Sequence, residues 1–349
     1  MNKWQNAIAL SLLVSVLWSC SSLEKSTTVS LELFKPAKLQ IPADRQNIGI
    51  IYRNPVIVPD TAEIWKKSAP ENDSTGIYAR NPAAYHYIET FRQLLSESQR
   101  FNDIELIQVD VSKDVVDSLK IREITPEAMD GIRLKYPGTD IFLFSEYLNQ
   151  QIFNYYYREI SEYTMVVYTY SIWQMAGINE DHLAYQYYKT DTVWWQGYAT
   201  SKKDWQQKFP SEEQAKIEGA GEAARAFSRL FVPWWETVER LIYLSGNYEM
   251  KIAHTFAINN QWKEAADIWR KYTTNKNRLL VAKAMFNMAL ANEVYGEMEG
   301  AIDWAIQSYM VFNETNDIHS RNTKDYISKL VARKKEYEIL DKALLSPEK

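Results

Sequence analysis

Val29, Leu31 and Leu33 alternate with polar residues at the two-residue period of a half-buried strand, and the fold is expected to begin there. Ile48-Gly49-Ile50-Ile51-Tyr52 is a short apolar run suited to a buried strand, followed by a loop with prolines at Asn54-Pro55 and Val58-Pro59. Over 83–100, Tyr87, Ile88, Phe91, Leu94 and Leu95 keep helical spacing, and Ile104 to Val111 reads as a strand. Thr125-Pro126-Glu127 supplies an N-cap with proline at the first helical position, opening a helix that runs to Lys135. Ile141-Phe142-Leu143-Phe144 is an apolar strand. Two long alternating strands follow, Tyr163 to Met175 and Leu183 to Gly197, joined as a hairpin through Gly177-Ile178-Asn179-Glu180-Asp181. From Ser211 the helical period returns, and a further helix is predicted from Trp234 to Leu244, ended by Gly246-Asn247.

This order predicts an α+β chain: a mixed-sheet α/β sandwich of two or three layers over 29–210, connecting helices over 211–247, and an all-α helical repeat domain over 248–345. In that last third, the pattern Ala253, Phe256, Asn260, Trp262, Ala265, Trp269 returns 36 residues later as Ala289, Asn292, Gly296, Met298, Ala301, Ala305. The spacing resembles tetratricopeptide repeats, where a small residue in the first helix and an alanine early in the second let paired helices approach closely. A helix from His319 to Leu345 would close the stack. A bundle of helical hairpins with no repeat ancestry remains the alternative. Phe256, Trp262, Trp269, Phe286 and Trp304 read as the interior of this domain.

The first twenty residues carry the strongest signal about location. Lys3, an apolar run from Ala7 to Leu17, and small residues before a cut form a secretory signal over 1–19, too short to span a bilayer. Leu17-Trp18-Ser19-Cys20 resembles the bacterial lipobox; Leu17 and Ser19 fit, while Trp18 is an unusual choice between them. An ordinary cleaved signal is the alternative. On the lipobox reading, Cys20 is the lipidation site, 20–28 is a short tether, and acyl chains hold the protein on the outer membrane at about 0.8 kcal/mol per buried CH₂. Ser21-Ser22-Leu23-Glu24-Lys25 lacks an acidic cluster, which favours a periplasm-facing anchor over the cell surface. Cys20 is the only cysteine, so no internal disulfide and no thiol catalysis are expected.

Lys35-Pro36-Ala37 with Ile41-Pro42, Ile48-Gly49-Ile50 leading to Arg53-Asn54, and Val232-Pro233-Trp234-Trp235 with Arg240 and Tyr243 together resemble an uncharacterised Bacteroidota lipoprotein family that carries a domain of unknown function. The element order is also similar to the small domain of envelope lipoproteins of the curli-secretion-accessory and penicillin-binding-protein-activator type. These resemblances imply an envelope location and bring no chemistry with them.

Composition then narrows the function classes. Hydrophobic residues at 46%, with only 11 glycines and 11 prolines in 349 residues, support packed domains. A net charge of −5, mixed along the chain, provides no basic stripe, and no nucleic acid partner is expected. Gly219-Ala220-Gly221-Glu222-Ala223-Ala224 fits a loose dinucleotide fingerprint, but it lies inside a predicted helix, where close helix packing explains it better. His86, His182, His254 and His319 are scattered without metal-ligand spacing, and no H-E-x-x-H, G-x-S-x-G or P-loop occurs. No cofactor, metal or catalytic residue is therefore expected. Aromatic residues make up 13% of the chain, and the hairpin concentrates them. One face of that hairpin must pack on helices; the other would display tyrosines such as Tyr168 and Tyr187, unless another segment covers it.

The expected function is a non-catalytic adaptor or scaffold, anchored to the membrane through Cys20 and binding an envelope protein. Tyr168, Tyr187, Lys251, Asn287 and Asn292 are its candidate contact residues. Glycan binding through exposed tyrosine and tryptophan is the alternative, with an unrecognised hydrolase as a third.

Overall fold

The computed structural model describes residues 26–53, 81–107, 124–178, 183–312 and 318–344. The expected signal peptide, Cys20, the start of the expected tether, the proline-containing segment after Arg53, Val109, Val111 and Asn179-Glu180-Asp181 lie outside the described residues. The fold is α+β. The chain divides into two compact units: Ala37–Trp234, and the segments before Ala37 and after Trp234.

The first unit is built on a five-stranded mixed sheet of order β3-β2-β4-β5-β6. Its strands are β2 (Asn47–Tyr52), β3 (Asp103–Ile107), β4 (Ile141–Tyr157), β5 (Glu162–Ala176) and β6 (Leu183–Tyr198). β3, β2 and β4 run parallel, with Ile48 opposite both Ile104 and Ile141; β4, β5 and β6 form an antiparallel meander. Helices α1 (Pro82–Glu97) and α4 (Glu212–Ser228) cover one face, where Trp173 of β5 stacks on Phe227 at 4.6 Å and Tyr87, Phe91, Ile48, Ile50 and Leu143 complete the core. Each such fully buried side chain contributes about 1.5–3 kcal/mol. Helix α2 (Pro126–Lys135) closes the opposite face at the parallel end, packing Met129 against Ile51, Phe142 and Phe144. The sandwich thus has three layers there. The α2 start is as the sequence implies: Thr125 caps it by accepting from the Ala128 N–H, and Pro126 stands in the first turn.

Gly219 fits the packing explanation. A Cβ there would come within 2.9 Å of Val167 Cγ1, so α4 lies closer to the sheet than any larger residue would allow. Strand β4 is 17 residues long, whereas β2 has only 6 and its last pairing is Tyr52 with Ser145. Beyond Ser145 the meander extends past the parallel strands, and a short helix α3 (Lys202–Lys208) joins α4 on its inner face.

The second unit is a two-stranded ribbon on a run of helices. The ribbon pairs β1 (Ser26–Lys35) with β7 (Trp234–Tyr243), and the helices are α5 (Tyr248–Ile258), α6 (Trp262–Tyr272), α7 (Arg278–Val294), α8 (Met298–Phe312) and α9 (Ile318–Leu344). Val29, Leu31 and Leu33 of β1 are buried, as their alternation predicts, against a core containing Trp262, Trp269, Phe286 and Leu330. Phe256 and Trp304 pack partly buried against the same core. Ala253 and Ala289, and Ala265 and Ala301, are fully buried pairs 36 residues apart. The helix breaks correspond as well: Asn260 and Gly296 both take positive φ, 60° and 77°, at the turn between paired helices.

Two sequence expectations are corrected here. Residues 234–243 form strand β7, not a helix. Trp234, Val238 and Leu241 imitate helical spacing because the inward-facing alternate positions include Glu236 and Arg240, which look like solvent-facing residues in the sequence. Arg240 is neutralised inside the unit by Glu293, and the partly exposed Glu236 lies 3.6 Å from Lys35. The boundaries differ too. Strand β1 belongs with the helices, and α4 belongs with the sheet, so 29–210 and 211–247 are not separate structural blocks. The cause is the β1–β7 pairing across some 200 residues, which no local pattern reveals.

Candidate functional site

The register of the meander assigns each side chain to a face. Residues directly opposite in paired strands share a face, and neighbours along a strand alternate. Trp173 is buried beneath α1 and α4, and it pairs with Tyr187, which therefore points to the helix side. Tyr187 packs against Phe227 at 5.1 Å, and burial together with the nearby Asp191 carboxylate pushes its phenol up to about 12. Tyr187 is thus a core-edge residue, which corrects its expected place on the display face. Tyr168 pairs with Gln151 and Thr192 on the opposite, outer face.

That outer face is aromatic. From β4 it presents Phe153, Tyr155 and Tyr157, from β5 Tyr168 and Tyr170, and from β6 Tyr188, Trp194 and Tyr198. Trp194 is 62% exposed, Tyr188 55% and Tyr155 42%. The rings are mutually ordered: Phe153 meets Tyr168 edge-on at 5.7 Å and Tyr155 in a stack at 6.4 Å, while Tyr168 stacks on Tyr170. The Tyr170 hydroxyl donates to Gln151 at 3.3 Å. Ordered rings lose little side-chain entropy when a partner covers them, and tyrosine keeps its hydroxyl available at the rim. The sequence signal for this face is parity in β6, where even positions carry Tyr188, Thr190, Thr192, Trp194 and Gln196 and odd positions carry Tyr187, Val193 and Trp195. Tyr187 belongs to the odd set with Trp195, and Tyr188 to the even set with Trp194.

The inner face at the same end of the meander holds a cleft of about 690 Å³. Tyr156 stacks on Tyr163 at 4.2 Å, Tyr163 on Trp205 at 5.9 Å, and Asn154, Gln206 and Glu212 add polar groups. Among the described residues, no group of three or more His, Cys, Asp or Glu side chains is placed to hold a metal ion.

The polar candidates of the helical unit are not brought together. Asn287 is completely buried; its Oδ1 accepts from the Tyr243 N–H at 3.0 Å and its Nδ2 donates to the Tyr243 carbonyl at 2.9 Å. It serves the last residue of β7 as a neighbouring strand would, and this corrects its expected role as a contact. Asn292 donates to the Met288 carbonyl, and a Cβ at Gly300 would come within 2.7 Å of its Oδ1, so it lies in the crossing of α7 and α8. Lys251 is exposed on α5. Around Asn287 the buried polar groups form pairs: Arg240 donates two-pronged to Glu293 at 2.8–3.1 Å, Tyr326 donates to Glu293 at 2.7 Å, and His319 Nδ1 lies 2.7 Å from the Tyr243 hydroxyl.

The profile of the domain of unknown function DUF8603 matches residues 45–243, more than half of the chain. The chain belongs to the DUF8603 family. A second profile, the domain of unknown function DUF6340, matches residues 251–332. No curated protein matches the chain. The DUF8603 match holds the outer aromatic face, the cleft and strand β7, while the DUF6340 match covers Lys251, Asn287 and Asn292 and runs from α5 into α9. No helix among the described residues is long and apolar enough to cross a membrane.

Proposed function

We propose that this DUF8603 protein is a non-catalytic adaptor of the bacterial envelope, held on the outer membrane through lipidated Cys20 on the periplasmic side, that docks a protein partner on the outer face of its β4–β6 meander. The observation that carries the docking surface is the row of rings on that face: Phe153, Tyr155, Tyr188 and Trp194 are exposed, and Phe153 and Tyr155 are ordered by ring contacts with each other and with the half-buried Tyr168 and Tyr170. Contiguous exposed aromatic surface marks interaction sites, and tryptophan and tyrosine dominate binding hot spots. The anchor is supported by the lipobox-like Leu17-Trp18-Ser19-Cys20. The 36-residue recurrence and the matching turns at Asn260 and Gly296 support tetratricopeptide-like ancestry for the helices, and the family resemblance supports a Bacteroidota source.

The test is capture after mild crosslinking in the native envelope, comparing the natural chain, Cys20→Ala and the pair Tyr188→Ala with Trp194→Ala. The reading expects a reproducible protein partner that is reduced in Cys20→Ala and lost in the face variant. A partner retained in full by the face variant contradicts it. A second reading, glycan binding through exposed aromatic rings, is favoured by the Tyr156–Tyr163–Trp205 stack on the inner face.

A further inference from the structure

We propose that the cleft between the far end of the meander and the α3–α4 junction is a binding site for a neutral saccharide. The inference gives the glycan reading a definite site on the helix side, where Tyr156 and Tyr163 face each other across β4 and β5, opposite Tyr168 and Trp194; of the outer-face row, Tyr155 alone borders the cleft.

Three features set the ligand chemistry. The first is an aromatic column assembled without ligand: Tyr156, Tyr163, Trp205 and Phe209 follow one another at centroid distances of 4.2, 5.9 and 5.8 Å, with interplanar angles of 23°, 29° and 34°. A volume of about 690 Å³ lies in the range of small-ligand pockets. Sugar rings place C–H groups on their faces and hydroxyls around their edges, a match for aromatic side chains flanked by polar ones.

The second is a hydrogen-bond donor without an acceptor. Trp205 Nε1 is buried and makes no hydrogen bond, and a buried polar group left in that state costs about 1–3 kcal/mol. The atom is closed to solvent, so an incoming hydroxyl or ring oxygen reaches it only with a shift of the Trp205 ring. The third is the polar rim. Asn154 Nδ2 stands 3.5 Å from Glu212 Oε1, a long contact that leaves both groups capacity for ligand hydroxyls, and Gln206 adds an exposed amide.

Charge excludes an anionic ligand. Among the described residues, the lining contains no lysine, arginine or histidine, and it contains the carboxylate of Glu212. The start of α4 does not reverse this, because Ser211 already caps it by accepting from the Gln214 N–H and both Glu212 and Glu213 occupy its first turn. A phosphate or sulfate would meet a carboxylate with no cation to offset it. A neutral polyhydroxylated ring meets an acceptor for its hydroxyls and a donor for its oxygens.

The experiment titrates the full chain in detergent with maltotriose, cellotriose, chitotriose and xylotriose, reading tryptophan fluorescence and ligand-observed NMR saturation transfer. The expectation is saturable binding of at least one trisaccharide at up to about 10 mM, the weak end of specific recognition. Trp205→Phe, which keeps an aromatic ring and removes the N–H, should weaken that binding about tenfold, consistent with an unmatched polar group at the site. Glu212→Gln should weaken it severalfold, and so should Gln206→Ala, whose exposed side chain can be removed without disturbing the packed core. Trp194→Ala should bind as the natural chain does. Loss of the saccharide in Trp194→Ala but not in Trp205→Phe would move glycan binding to the outer face and overturn the cleft assignment. Absence of saturable binding by all four probes, or tighter binding of a sulfated trisaccharide than of its neutral parent, would overturn it as well.

Discussion

In the sheet unit, Trp194, Tyr188 and Tyr155 stand exposed on the outer face of the meander, whereas in the helical unit Asn287, Glu293 and Arg240 are sealed from solvent. Residue type alone would place them the other way round. The difference lies in the partners the fold supplies. The helical unit must finish the end of β7, and Asn287 does so by pairing both backbone groups of Tyr243; Glu293 does so by meeting the guanidinium that β7 turns inward. Among the described residues, the far half of the meander has helices on one side only, and its second set of alternate positions is filled with rings. Buried polar groups here mark where two elements are joined, and exposed rings mark where an element has been left unjoined.

The sharpest way to break this comparison is Glu293→Ala. It strands Arg240 and the Tyr326 hydroxyl inside the unit, and the expected loss is about 3–5 kcal/mol in denaturant unfolding. Asn287→Ala leaves the Tyr243 N–H and carbonyl buried without partners and is expected to cost about 1–3 kcal/mol. On the meander the order reverses. Tyr188→Ala combined with Trp194→Ala should change stability by no more than about 0.5 kcal/mol per site while weakening partner binding by about 2 kcal/mol or more, roughly 30-fold. A stability loss in that double variant as large as that of Asn287→Ala would mean the face is packed, not displayed.

The smallest effect concerns Tyr187, which separates the two faces of one strand. Its folded pKa is raised to about 12 by burial and by Asp191, so its contribution to stability is complete below about pH 10 and is lost as pH rises through about 12. Tyr187→Phe should flatten this alkaline loss in a pH series of unfolding midpoints.

Much of the fold was legible because local chemistry carried it. Thr125-Pro126 announced α2, the β5–β6 hairpin followed from period-two alternation, and Gly219 was read as a packing residue. Two things were not local. The β1–β7 ribbon joins segments 200 residues apart, and the ion pairs that let Glu236 and Arg240 face inward are completed by Lys35 and Glu293, so β7 looked helical. The length of β4 was hidden for a related reason: past Ser145 it loses its parallel neighbour, and its composition turns polar and tyrosine-rich while its backbone continues as a strand. Of the candidate contacts, Tyr168 lies half-buried on the outer face, while the place of Tyr187 depends on the hairpin register and that of Asn287 on the strand end it completes. The cleft depends on α3, for which the periodicity offered no cue.

The central claim is that the outer face of the meander is the docking surface. A photo-crosslinking amino acid placed singly at 168, 194 and 251 in the natural envelope tests it most directly, since Tyr168 and Trp194 lie on the face and Lys251 is exposed on helix α5. The account predicts adducts with one and the same protein from 168 and 194 and none from 251. Adducts from 251 alone, or from none of the three positions, would contradict it.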